Sequence, residues 1–168
     1  DPNKQILRFK TTPLTYAVIK ENPEIVRILL NYRADPNIQT IRANTPLSLA
    51  VRKQNPVIVR TLLSEGANPD LGWSPDGMTP LVYAIRNNNI DIAINLILKG
   101  ANTNIPDIEG NRALTLASRM GLVDIVRLLL KRGADANVQN NSGMTPLMYA
   151  IQYHGNLEIV EMLLESVN

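Results

Sequence analysis

The sequence repeats itself with a period of about 33 residues, and this feature most restricts how the chain can fold. The triplet Thr-Pro-Leu, or Arg-Ala-Leu in one copy, begins at five positions: Thr12, Thr45, Thr79, Arg112 and Thr145. The steps between these positions are 33, 34, 33 and 33 residues. A second marker, Gly-Ala-Asp or a close variant, keeps the same phase at residues 33–35, 66–68, 100–102 and 133–135. Two markers that share one period predict five copies of a single structural unit.

Each unit is predicted to contain two short helices and an extended loop. The Thr hydroxyl can cap the first helix, and Pro suits the first helical position because its missing N–H has no partner there. In the second helix, apolar residues follow the i, i+1, i+4, i+5 spacing of a buried stripe, as at Ile25, Val26, Leu29 and Leu30. A single unit cannot bury this stripe, so neighbouring units must stack and share a continuous core.

Two units depart from the repeat pattern in ways that are predicted to weaken them. The second helices end at Gly66, Gly100 and Gly133, where glycine adopts the left-handed conformation at little cost. Arg33 stands at the equivalent position of the first unit and should strain it. The fourth unit has Arg112 and Ala113 where the others have Thr and Pro, so its first helix should be the weakest link.

The Thr-Pro-Leu start, the two short helices and the Gly-Ala-Asp ending together resemble the ankyrin repeat, from about Gln5 to Leu164. The resemblance implies an all-α solenoid of stacked helix–turn–helix units with extended β-hairpin-like finger loops. The repeats are expected at about residues 8–40, 41–73, 74–107, 108–140 and 141–168, after residues 1–7 from the finger of a preceding repeat. We therefore expect residues 1–168 to be a single ankyrin-repeat domain, excised from a longer protein.

The chain departs from the family pattern in one recurrent position. The usual His after Thr-Pro-Leu is replaced in every unit, by Thr15, Ser48, Val82, Thr115 and Met148. The hydrogen bonds that this His makes between repeats are therefore not expected here. At the end of the chain, the second helix of the fifth unit carries Glu158, Glu161 and Glu165, and it could serve as the polar cap that a soluble stack requires.

The residues of common catalytic and metal sites are nearly absent. The chain has no cysteine, which excludes disulfides and thiolate ligands, and its one histidine, His154, lies in a loop between two helices. No glycine-rich phosphate loop occurs, and no apolar run reaches the roughly 18 residues of a membrane span. We therefore expect no enzyme activity, no cofactor and no metal. We also expect a monomer without membrane association in the cytoplasm, or in the host cytoplasm if the chain belongs to a secreted effector.

The resemblance also implies a concave face that binds partners. Its inner positions, seven and eight residues after each Thr, are Ile19-Lys20, Arg52-Lys53, Arg86-Asn87, Arg119-Met120 and Gln152-Tyr153. Five of these residues are basic and none is acidic. The finger residues three before each Thr are Phe9, Arg42, Asp76, Glu109 and Ser142, so acids accompany only the C-terminal part of the face. Phe9, Tyr32, Trp73 and Tyr153 add aromatic side chains of the kind that anchor interfaces.

These columns define the candidate partner-binding residues: Phe9, Lys20, Tyr32, Arg42, Arg52, Lys53, Trp73, Arg86, Arg119 and Tyr153. We expect a protein–protein interaction scaffold whose concave face, strongest in its N-terminal half, binds an acidic or phosphorylated protein segment. Three alternatives stay open. The chain could be a regulatory segment of a larger enzyme or of a secreted bacterial or viral effector. It could be a receptor for a phosphate-bearing small molecule or nucleic acid, with aromatic side chains that stack on bases. The basic face could also be an ordinary solvated surface.

Overall fold

The computed structural model describes residues 1–6, 9–71, 77–153 and 155–166. In this part of the chain ten short helices follow one another as five pairs: α1 (Pro13–Ile19), α2 (Pro23–Asn31), α3 (Pro46–Arg52), α4 (Pro56–Ser64), α5 (Pro80–Arg86), α6 (Ile90–Leu98), α7 (Ala113–Arg119), α8 (Val123–Lys131), α9 (Pro146–Tyr153) and α10 (Leu157–Glu165). The all-α solenoid expected from the sequence is therefore confirmed. Among the described residues, no helix has the length and apolar character needed to cross a membrane.

Side-chain caps set where most of the helices begin. The hydroxyl of Thr12 accepts a hydrogen bond from the N–H of Thr15 at 3.1 Å, and Thr45, Thr79 and Thr145 cap α3, α5 and α9 in the same way. Asn22 caps α2 by accepting from the N–H of Ile25 at 3.0 Å. Helices α6, α7 and α8 have no side-chain cap, and Arg112 stands at the cap position of α7. Its Nε donates instead to the carbonyl of Asn104 at 3.0 Å.

The left-handed ends of the outer helices also match the sequence pattern. Gly66, Gly100 and Gly133 have φ angles of +83°, +85° and +79°. Arg33 adopts the same conformation, with φ of +64°. A residue with a side chain gives up about 1–2 kcal/mol in this region. Arg33 therefore has the left-handed conformation from which strain in the first unit is expected.

The core is a row of inner helices packed beside a row of outer helices. The principal inner contacts run from α1 to α3, α5, α7 and α9 in turn, and the outer contacts run from α2 to α4, α6, α8 and α10. An alanine column lies fully within the core, and its members are Ala17, Ala50, Ala84, Ala117 and Ala150. Since each pair packs mainly on its neighbours, the fold is built by local contacts along one axis.

The fingers that the structure describes in full, those before α3, α7 and α9, are turns rather than paired strands. The described residues contain one isolated antiparallel bridge, between Ile6 and Thr11, and no strand. Two backbone hydrogen bonds close the fourth finger: the N–H of Asp107 donates to the carbonyl of Asn111, and the N–H of Gly110 donates to the carbonyl of Asp107, both at 2.9 Å. The hairpin-like appearance expected from the family is therefore limited to short turns.

A ladder of Asn and Asp side chains joins the loops that follow the outer helices, and we call it the Asx ladder; its members are Asn3, Asn37, Asp70 and Asn104. Each Oδ1 accepts a hydrogen bond from a backbone N–H of the next loop, at distances of 2.8, 2.8, 2.8 and 3.0 Å. The Nδ2 groups of Asn3, Asn37 and Asn104 also donate to a carbonyl of that loop. This ladder supplies hydrogen bonds between repeats that lack the His of the family.

Candidate functional site

The inner face of the stack consists of the finger turns and the inner helices α1, α3, α5, α7 and α9. In its N-terminal part, a groove of about 400 Å³ lies between the first two fingers, α1 and α3. We call it the inner groove; its apolar lining is formed by Ile6, Phe9, Tyr16, Ile19, Ile41 and Leu49. Arg42 also lines it, so two of the predicted binding residues, Phe9 and Arg42, meet here.

The backbone of the first two fingers brings apolar side chains together at the edge of the groove. The N–H of Ile41 donates to the carbonyl of Phe9 at 3.1 Å, which holds the first two finger tips side by side. The turn of the second finger places Ala43 at a φ of +57°, and Ile41 and Arg42 precede it at the tip. Phe9 is 53% exposed and Ile41 is 64% exposed, so solvent reaches both apolar side chains.

The basic residues of the inner face differ in how their charge is balanced. Lys53 pairs with Glu21 at 3.0 Å, although both side chains are about half exposed. Arg86 lies 3.8 Å from Glu109, an acid that the finger column placed nearby. The sequence columns left Lys53 without an acid because Glu21 lies one residue beyond the inner column. Fewer basic residues of the first two repeats lack a neighbouring acid than the sequence columns predicted.

Two cations of the N-terminal half keep their charge available. Lys20 is exposed, and its Nζ lies 5.6 Å from the centre of the Tyr16 ring, within the range of a cation–π contact. Arg42 is exposed at the finger tip. None of the carboxylates that the structure describes lies within salt-bridge distance of either residue. Arg52 lies between them in sequence and is exposed at the end of α3.

The remaining predicted residues lie away from the inner groove. Tyr32 is exposed at the C-terminal end of the outer helix α2 and does not line the groove. Arg119 lies 5.9 Å from the ring centre of Tyr149, which in turn lies 5.8 Å from that of Tyr153, so these three form a separate cluster near the C-terminal end. Trp73 lies outside the described residues.

Sequence reasoning missed the apolar wall of the groove. Tyr16 and Leu49 occupy the position before the alanine column, to which the sequence analysis assigned no role. Ile41 stands beside Arg42 in a finger, where a solvated residue is the ordinary expectation. An isoleucine at an exposed loop tip was the available signal, because apolar side chains exposed together indicate an interaction surface.

No metal centre is evident in the described part of the chain. There, no group of three or more His, Asp or Glu side chains could hold a metal ion. His154 lies outside the described residues.

A family model described as "Ankyrin repeats (3 copies)" matches residues 14–107, 69–140 and 93–168, three overlapping ranges that together span most of the chain. No curated protein matches the chain at a significant level.

Proposed function

We propose that this chain, which belongs to the ankyrin repeat family, binds a protein segment that carries acidic side chains next to a large apolar one. Ankyrin repeats generally mediate protein–protein interaction and are typically non-catalytic. The observation that carries the finer proposal is the inner groove, an exposed apolar surface with Arg42 in its wall and Lys20 beside Tyr16.

The apolar part of the site favours a bulky side chain of the partner. Single exposed apolar residues are ordinary, but Phe9, Ile19 and Ile41 are exposed together around one groove. Its volume of about 400 Å³ is within the range of ligand sites and is sufficient for one or two large side chains. Burial of such a side chain would supply affinity that charges at a wet rim do not provide.

The charged part of the site favours acidic residues beside that anchor. Lys20 and Arg42 have no described carboxylate within salt-bridge distance, so a carboxylate of the partner would meet an unpaired cation. Lys53 could also exchange its exposed partner Glu21 for an acid of the ligand, because an exposed ion pair contributes little. These rim charges would mainly accelerate association and select the partner.

The proposal is tested with a library of random peptides displayed on phage and selected on the immobilised chain. Recovered peptides should be enriched in Asp or Glu next to a large apolar residue. The affinity of one recovered peptide is then measured for wild type and for the double variant Lys20→Glu/Arg42→Glu. The double variant should bind about tenfold more weakly or worse, because each reversal replaces attraction by repulsion.

A matched control lies on the outer helices. Arg60 and Lys99 are exposed, and Lys99 ends α6 as Lys20 ends α1, so Arg60→Glu/Lys99→Glu repeats the same charge change away from the groove. Ile41→Ser should weaken binding without changing its dependence on salt, since it removes only apolar contact. Equal losses in the groove and control double variants, or recovered peptides without acidic residues, would contradict the proposal.

A further inference from the structure

An arginine and two tyrosines form a second cluster on the inner face, between α7 and α9. The guanidinium of Arg119 lies 5.9 Å from the ring centre of Tyr149, and the ring centres of Tyr149 and Tyr153 are 5.8 Å apart. We call these three residues the C-terminal cluster. It repeats the chemistry found beside the inner groove, where the ammonium group of Lys20 lies over the exposed ring of Tyr16.

The exposure of the C-terminal cluster is a property of the inner face. Tyr153 stands eight residues after Thr145 and is 55% exposed. Lys53 and Asn87 stand at the same position after α3 and α5, which have inner helices on both sides, and both are also exposed. A segment that runs along the inner face can therefore reach this position in the middle of the stack as well as on α9.

Hydrogen bonds hold the Tyr149 ring in place and leave Arg119 available. The Nδ2 of Asn140 donates to the Oη of Tyr149 at 3.0 Å and to the Oδ1 of the buried Asn111 at 2.9 Å. None of the carboxylates that the structure describes lies within salt-bridge distance of Arg119. A carboxylate of a partner would therefore meet an unpaired guanidinium, whose planar set of N–H donors suits it well.

Two basic residues between the inner groove and the C-terminal cluster already have acids. Lys53 lies 3.0 Å from Glu21, and Arg86 lies 3.8 Å from Glu109. A partner would gain little from charge in this middle part, because exposed ion pairs contribute little and these acids repel further acids. It would gain most from acidic side chains at the two sites where a cation lies beside an aromatic ring.

The order of the inner helices sets the distance between the two sites. The inner groove lies between α1 and α3, and the C-terminal cluster lies between α7 and α9, three helix steps further along the row. Packed helices lie roughly 8–10 Å apart, so the two sites are roughly 25–30 Å apart. An extended chain advances roughly 3.3 Å per residue, so about eight or nine residues bridge them.

We infer that one extended partner segment occupies both sites, with two acidic-and-apolar motifs about eight or nine residues apart. The first motif binds at the inner groove. The second places a carboxylate against Arg119 and its large apolar side chain on Tyr153. The residues between the motifs contribute little specificity. The inference rests on the proposed function for its first site, whereas the C-terminal cluster binds a motif on its own.

The second site is tested first by itself. The probe is the peptide Gly-Asp-Glu-Phe-Gly, titrated into the isotope-labelled chain and followed by NMR. The backbone amides of the C-terminal cluster should shift in wild type, and also in Lys20→Glu/Arg42→Glu, which weakens only the inner groove. Arg119→Gln and Tyr153→Ser should each remove these shifts and leave those of the inner groove unchanged.

The matched control is Lys131→Gln. Lys131 is exposed at the end of α8 as Arg119 is placed at the end of α7, so the same charge is removed away from the inner face. This variant should change neither set of shifts. A wild type whose cluster amides do not shift would overturn the inference and leave the proposed function intact. Shifts at the cluster alone would support the second site and overturn the proposed function.

The bridging is tested with a peptide that carries two Asp-Glu-Phe motifs. About twelve Gly and Ser residues join the motifs, and they span roughly 20 Å on average and at most roughly 40 Å. This peptide should bind wild type about tenfold more tightly than the single-motif peptide, or better, because its second motif binds at a high effective concentration. A peptide whose two motifs are joined directly cannot reach both sites and should gain about twofold at most.

Arg119→Gln should remove the gain of the long peptide and leave the affinity of the inner groove for the single motif unchanged. Circular dichroism checks that the variant folds, and Tyr153→Ser, at an exposed position, should give the same result. The inference is overturned if the long peptide binds no more tightly than the directly joined one, or if Arg119→Gln and Tyr153→Ser both retain the gain.

Discussion

Asp70 is the member of the Asx ladder whose replacement should stabilise the fold. At the equivalent positions, the Nδ2 groups of Asn37 and Asn104 donate to the carbonyls of Gly66 and Gly133, at 3.1 and 3.2 Å. The carboxylate of Asp70 accepts from the N–H of Asn102 at 2.8 Å, but it has no hydrogen to donate to the carbonyl of Gly100. Asp70→Asn keeps the first bond and adds the second.

The expected gain follows from three contributions. A new amide–carbonyl hydrogen bond contributes about 0.5–1.5 kcal/mol. Removing a negative charge from the C-terminal end of α6 contributes about 0.3–1 kcal/mol, because the helix dipole is negative there. The bond to Asn102 becomes neutral and weakens by an amount similar to one ordinary hydrogen bond. The net expectation is a stabilisation of about 0.5–1 kcal/mol, which would raise the Tm by about 1–4 °C for a chain of this length.

Chemical unfolding monitored by circular dichroism measures this difference. The matched control is the reverse change at a sister position, Asn37→Asp, which removes the donor to the Gly66 carbonyl and should destabilise the fold by a similar amount. If Asp70→Asn is neutral or destabilising, or if Asn37→Asp has no effect, then the Nδ2 bonds do not stabilise the stack and the reasoning is refuted.

Two further predictions test the uncapped start of α7 and the strained turn at Ala43. Arg112→Thr with Ala113→Pro should stabilise the fold by about 1–2 kcal/mol in urea unfolding, because it restores the helix cap. The new Thr would also give a partner to the buried hydroxyl of Thr115, which has none among the described residues, as Thr12 does for Thr15. A loss of stability would instead show that the bond from Arg112 to the Asn104 carbonyl is worth more. Ala43→Gly should raise the midpoint of urea unfolding by the equivalent of about 1 kcal/mol, since Ala43 has a φ of +57° where the later fingers have glycine. The reverse change Gly143→Ala should lower the midpoint by a similar amount, because the added Cβ meets no atom within 4 Å and only the backbone is strained. If the two changes do not shift the midpoint in opposite directions, the finger turns are not strained.

The helices and their order could be predicted from the sequence because the signals that determine them are local. A cap, a proline and an apolar stripe lie within about ten residues of one another, and each unit repeats them. The left-handed conformation of Arg33 could be predicted for the same reason, since glycine stands at the equivalent position of three other units. The inner groove was only partly predicted. Phe9 and Arg42 were expected on this surface, but the wall formed by Ile41 and Tyr16 depends on how two fingers lie together.

The contacts between units were missed because residues were compared only at equivalent positions of the five units. In the structure, bonded side chains of neighbouring units are offset by slightly less than one period. The pair of Lys53 with Glu21 spans 32 residues, as does the bond from Asp35 to Asn3, and the pair of Arg127 with Glu158 spans 31. In a stack, residues one period apart are spatial neighbours, and an offset of one or two residues places them on adjoining elements. A search for opposite charges 31 or 32 residues apart would therefore have found Glu21 as a neighbour of Lys53 and removed this lysine from the cations expected to be available to a partner.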